Sequence, residues 1–120
     1  MKKHIAIVED EPALRENYAA SLARHGYGVK TYGNRANAMQ AFKVHLPDLA
    51  IIDISLEDEA EGGFDLCRDL RAMSAELPII FLTAIVSRSE TKQDIGGFPF
   101  LSKPVSLDAI TRCIAEHLPA

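Results

Sequence analysis

Three carboxylates, a hydroxyl and a lysine each stand where a short apolar run of this chain stops. Ile5 to Val8 ends at Glu9 and Asp10, Leu49 to Ile52 at Asp53, and Ile79 to Leu82 at Thr83, while Phe98 to Leu101 leads into Ser102, Lys103 and Pro104. Carboxylates brought together repel, which destabilises a metal-free site, and a hard divalent cation removes that penalty. Mg²⁺ suits such a place, because it takes one or two carboxylates and keeps several waters. With the cation as a shield, a carboxylate oxygen can attack a phosphoryl group that is itself anionic. Lys103 offers a point charge to one phosphoryl oxygen and Thr83 a hydroxyl donor to another. The set fits phosphoryl transfer onto an aspartate, a reaction that needs positioning and charge neutralisation more than a base.

Singly, these residues have ordinary readings. Acids at strand ends are common in loops, and Lys-Pro is a common dipeptide. The order is the specific part: an acid pair after the first run, Asp53 after the third, Thr83-Ala84 after the fourth and Lys103-Pro104 after the fifth.

Apolar runs of this length, bounded by loops, read as strands buried on both faces. Val29 to Tyr32 is the remaining strand and carries no polar group of this kind. Helical patterns fill the gaps. Pro12 suits a first helical turn, Leu14, Tyr18 and Leu22 recur at i, i+4, i+8, and Gly26 closes the helix. Ala38, Phe42 and Leu46 repeat the spacing up to Pro47, and Leu66, Leu70 and Met73 mark a third helix that ends before Pro78. Ser106 reads as an N-cap, with Asp108 in the first turn and Leu107, Ile110 and Ile114 facing inward. The helix after the fourth strand is the weak one. Ser87 and Glu90 can form a capping box, but Thr91 to Asp94 is polar and Gly96-Gly97 ends the stretch, so slow hydrogen exchange there would overturn this reading. The alternation predicts (βα)₅, a parallel sheet wrapped on both faces. Groups at the carboxyl ends of its strands meet at one edge, where open α/β folds keep their ligands.

The bulk numbers fit one domain over residues 1–120, with no second domain: 48% apolar, 25% charged, net charge −4. No apolar stretch is long enough to span a bilayer, and the four apolar residues after Met-Lys-Lys-His are too few for a secretory signal, so a cytoplasmic location is expected. Without a basic cluster, direct nucleic-acid binding by this chain is not expected. Cys67 and Cys113 read as buried reduced thiols rather than a disulfide framework. His4, His25, His45 and His117 are scattered at element ends with no metal spacing and carry no assigned role.

Over essentially its full length the chain resembles the receiver domain of two-component response regulators. The resemblance implies a flavodoxin-like (βα)₅ three-layer sandwich with parallel sheet order 2-1-3-4-5. It implies that Glu9 and Asp10, in Val-Glu-Asp-Glu, hold Mg²⁺ (or Mn²⁺), with Asp10 the more direct ligand. Asp53, in Leu-Ala-Ile-Ile-Asp-Ile, becomes the phosphoacceptor and a metal ligand, and Ser55 gives its backbone carbonyl to the metal. Thr83 becomes the switch hydroxyl, and Ala84 the small residue that leaves room for the phosphoryl group. Lys103 contacts a phosphoryl oxygen, Lys103-Pro104 is a cis peptide, and Phe100 takes the place of the switch aromatic. Implied partners are a sensor histidine kinase, and an output domain or partner protein on the face made by the fourth helix, fifth strand and fifth helix. A homodimer on phosphorylation is part of the same expectation. The chain ends soon after its last helix, as a stand-alone receiver or one shown without its output domain.

The chain departs from the family pattern in places. Glu9 stands where Asp is more usual. The loop after Asp53 lacks the common proline, is longer than usual before Gly63, and carries Glu57, Asp58, Glu59 and Glu61. It reads first as a solvated loop, and otherwise as a tuner of metal affinity or partner choice. The segment from Thr83 to Lys103 is shorter than usual and lacks the Gly-Ala-Asp-Asp-Tyr run. The stretch Gly62 to Arg71 is similar to regulators paired with dedicated sortase systems in proteobacteria. Ile85 is expected to crowd hydrolytic water and slow self-dephosphorylation; an unchanged rate in Ile85→Asn would refute this. Three rival readings stand beside the receiver. An aspartyl phosphohydrolase wants a second acid two residues after its nucleophile, where Ser55 stands. A pseudo-receiver that acts only as an interaction module is opposed by the intact set Asp10, Asp53, Thr83 and Lys103. A flavin-binding flavodoxin lacks its phosphate loop here.

Overall fold

The computed structural model describes residues 2–54, 62–83, 100–102 and 106–118. They form β1 (His4–Val8), α1 (Pro12–Arg24), β2 (Gly28–Tyr32), α2 (Arg35–Val44), β3 (Leu49–Asp53), α3 (Gly62–Met73), β4 (Ile79–Thr83), β5 (Phe100–Ser102) and α4 (Leu107–His117). The five strands make one sheet in the order β2-β1-β3-β4-β5, as the resemblance implies, and every pairing is parallel, as the alternation of elements predicts.

Strand alternation divides the core. Ala6, Val8, Ala50, Ile52, Ile79 and Phe81 bury themselves with Ala38 and Phe42 of α2 and Leu66, Cys67 and Leu70 of α3. Ile5, Ile7, Leu49, Ile51, Ile80 and Leu82 do so with Tyr18 and Leu22 of α1 and Ile110 and Ile114 of α4. Both faces of the central strands are therefore covered, and their continuous apolar runs follow from that. β2 differs from the expectation of a strand buried on both faces. It is an edge strand, and Lys30 and Thr31 are exposed.

The helix ends follow their capping chemistry. After α1, Gly26 adopts φ 93°, Tyr27 N–H donates to the Leu22 carbonyl at 3.2 Å and Gly26 N–H to the Ala23 carbonyl at 3.0 Å. That double closure needs the left-handed residue glycine supplies. The Asn34 side chain accepts from the Asn37 N–H at 2.8 Å, and the Ser106 hydroxyl from the Ala109 N–H at 3.1 Å, so Ser106 is the expected cap.

One helical expectation shifts. α2 stops at Val44, so Leu46 packs on the core from beyond the helix; His45 is already extended at φ −155°, ψ 120°. A residue before proline is driven out of the α region, and here the turn to Pro47 begins early. On α3 the inward face is Leu66, Cys67 and Leu70, while Met73 lies at the surface. In β3 and β4 the polar groups are the last residues of the strands rather than the first beyond them, because Asp53 pairs with Leu82 and Thr83 with Ser102. β5 begins at Phe100; the start expected at Phe98 lies outside the described residues.

Candidate functional site

Register brings the acids together. Val8 pairs with Ile52, so Glu9 emerges beside Asp53, and Asp53 in turn pairs with Leu82, next to Thr83. One carboxylate oxygen from each of Glu9, Asp10 and Asp53 lies within 4.8 Å of the others. Glu9, Asp53 and Thr83 are buried at 0%, 4% and 5% exposure, and Asp10 is open to solvent. Two anions held out of water beside a third, exposed one form a donor set of hard oxygens with one open side. That suits a small divalent cation that keeps part of its water shell.

Glu9 is fixed from three directions. Its N–H donates to the Tyr32 carbonyl at 3.1 Å, tying it to the end of β2. Its own carbonyl accepts from Arg15 Nη1 at 2.9 Å, and its Oε2 accepts a longer bond, 3.3 Å, from the Glu11 N–H. The sequence carries no role for Arg15. The signal available was its place near the start of α1, where the helix dipole disfavours a cation unless a nearby acceptor compensates.

Phe100 is half-buried, paired with Phe81 in the sheet, and packs on the α2–α3 side of the core. Ser55, Ala84, Lys103 and Pro104 lie outside the described residues, as do the acidic loop, Ile85 and the helix expected after β4. Cys67 is buried and Cys113 half-buried, both as free thiols, and burial pushes both above the ordinary thiol range. His25 and His45 stand at the ends of α1 and α2, and His117 closes α4.

A model of the response regulator receiver domain matches residues 5–115. The chain belongs to the response regulator receiver family. Among curated relatives it is 32% identical over 112 residues to the response regulator MprA of Mycobacterium sp. (strain KMS), covering 92% of this chain and 48% of that protein. The MprA of Mycobacterium tuberculosis (strain ATCC 25177 / H37Ra) matches to the same extent. The chain thus spans about half the length of the curated relatives it matches. Among solved structures, the chemotaxis protein CheY4 of Vibrio cholerae superposes with a TM-score of 0.86 at 21% identity, over 98% of this chain and 100% of that one. A CheY-like receiver domain from Methanospirillum hungatei JF-1 gives 0.84 at 22% identity, over 97% and 93%. These two likenesses carry the flavodoxin-like fold. Receiver domains are regulatory signalling modules of two-component systems that bind Mg²⁺ at an acidic pocket, and this chain has an acidic cluster. No helix among the described residues is long and apolar enough to cross a membrane.

Proposed function

We propose that residues 1–120 form a single receiver that takes a phosphoryl group on Asp53 from a histidine kinase or phosphotransfer protein. Glu9, Asp10, Asp53 and the Ser55 backbone carbonyl would hold Mg²⁺ (or Mn²⁺). The meeting of the three carboxylates at the carboxyl edge of the sheet carries this reading. Bound there, the cation supplies the charge neutralisation that lets one anion approach another. An Asp53 oxygen forms the new bond to phosphorus as the bond from phosphorus to the donor nitrogen breaks. Asp53 is the acceptor because it is nearly buried at a strand end, with its backbone held in the β3–β4 ladder. Thr83 donates its hydroxyl to one phosphoryl oxygen, the Lys103 ammonium meets another, and Ala84 leaves the space.

The added charge then biases a two-state element. Thr83 turns toward the phosphoryl group and Phe100 moves inward behind it, with Lys103-Pro104 as a cis peptide beside them. The face made by the helix expected after β4, by β5 and by α4 changes its affinity for an output domain, a partner protein or a second copy. Moving that equilibrium from almost all off to almost all on needs roughly 5.5 kcal/mol of differential stabilisation. The chain acts in the cytoplasm as a regulatory phosphoacceptor, without contacting nucleic acid itself.

The test is intact mass after incubation with Mg²⁺ and acetyl phosphate, beside Asp53→Asn. Gain of one phosphoryl group, lost in the variant and lost without metal, is the expected result. If neither acetyl phosphate nor beryllofluoride with Mg²⁺ modifies or binds the protein, the switch reading gives way to an interaction module that keeps only the fold.

A further inference from the structure

We infer that Arg15 is a positioning residue for the acidic site, and that a side chain at Gly33 would crowd its guanidinium; the inference rests on reading that site as a cation site. Arg15 stands on α1, while Glu9 stands before it at the end of β1. Its Nη1 reaches back over the intervening turn to the Glu9 carbonyl at 2.9 Å. On its other side is Gly33, just past β2, where an added Cβ would lie 3.0 Å from the same Nη1 and 3.7 Å from Cζ. Gly33 has no left-handed φ, so its backbone alone does not call for glycine. The guanidinium thus sits between the turn after β1 and the turn after β2.

A cation this near a helix start opposes the helix dipole. A charge-assisted bond to a carbonyl, at the back of an acid cluster, offsets that. The carbonyl belongs to Glu9, whose side chain is fully buried and shares the cluster with Asp10 and Asp53. Fixing the Glu9 peptide fixes where its Oε2 meets the Glu11 N–H and where Asp10 begins. Arg15 therefore acts on the metal through the backbone of a ligand, touching neither cation nor phosphoryl group.

The experiment compares Arg15→Met, Arg15→Lys and Gly33→Val with the unaltered chain. Mg²⁺ affinity is read by calorimetric titration, and amide exchange at Glu9 and Glu11 is read in metal-free buffer, with unfolding midpoints alongside. Arg15→Met lowers Mg²⁺ affinity roughly tenfold, as loss of a hydrogen bond behind a metal ligand does. Arg15→Lys restores part of it, Gly33→Val shifts it the same way as Arg15→Met, and all three exchange faster at Glu11. Unchanged or tighter Mg²⁺ binding in Arg15→Met overturns the inference, since tighter binding is what removing a mere counter-charge produces. If Arg15→Met fails to fold, the lysine and valine variants carry the comparison. If the unaltered chain binds no Mg²⁺, the cation reading fails, and unchanged exchange at Glu11 would separately dispose of Arg15 as the support of the turn.

Discussion

Replacing Asp53 by asparagine should make the metal-free protein more stable, although it removes the proposed phosphoacceptor. Asp53 and Glu9 are both buried, and their carboxylate oxygens share a space in which all three acids approach within 4.8 Å. Two unit charges at that separation repel by about 3 kcal/mol at an effective dielectric of about 20. The charge-assisted hydrogen bonds that a buried carboxylate accepts offset about 1.5 kcal/mol of this, and relief from exposed Asp10 returns a little. The net gain is about 2 kcal/mol, or roughly 8 °C in Tm for a domain of this size. The assay is urea unfolding in EDTA at low salt and neutral pH, repeated with Mg²⁺. At ten times its Kd the cation stabilises the unaltered chain by about 1.4 kcal/mol, so the gap between the two proteins narrows. A variant less stable than the parent without metal would show that the carboxylate is held by its partners more than it is repelled, and would refute the argument.

Gly26→Ala should cost about 1–2 kcal/mol in urea unfolding, because φ 93° is a left-handed conformation that a Cβ opposes and the double closure of α1 depends on it. Ser106→Ala removes the acceptor for the Ala109 N–H and should lower stability by about 1 kcal/mol, while Ser106→Asp should hold it. Burial raises both thiols above their ordinary 9.0, so the folded state holds those protons longer than the unfolded one. Their contribution is complete below that value and is lost as pH rises above it, so the unfolding midpoint should fall in alkali and Cys67→Ala should flatten the fall. At neutral pH Cys113 should react first with a thiol reagent and buried Cys67 only as the chain opens, which mass spectrometry of timed samples would resolve.

Where the sequence was readable, each element carried its own physical signal. β1, β3 and β4 are unbroken apolar runs because both their faces are covered, and Pro12, Gly26 and Ser106 mark helix ends by chemistry local to each residue. The departures are small and fall at the ends of elements. Met73 closes α3, as its spacing marks, but is exposed where Leu66 and Leu70 are buried. Leu46 fits the spacing of α2, yet the approach to Pro47 ends that helix at Val44. The acids were visible as types, whereas Arg15 was not, since it acts on a backbone carbonyl and every residue has one. Spacing can reveal which side chains share a face; it cannot reveal which main-chain atom a long side chain will reach.

The site depends on register, and register in a sheet buried on both faces needs more than alternation. A one-residue slip of β1 against β3 would still present apolar residues to both sides. Size settles what polarity leaves open. Ala6 pairs with Ala50, and both face the side that carries Phe42, while the opposite side receives Ile5, Ile7, Leu49 and Ile51. Slipping one strand would set an isoleucine where the paired alanines leave room, and overpacking of that kind costs about 1–3 kcal/mol. The slip would also draw Glu9 or Asp53 down the ladder, away from its neighbour and from the open edge that Asp10 shares. Two alanines in the middle of the sheet therefore help to decide that Glu9 meets Asp53 at its end. The chemistry at the edge is set by packing several residues below it.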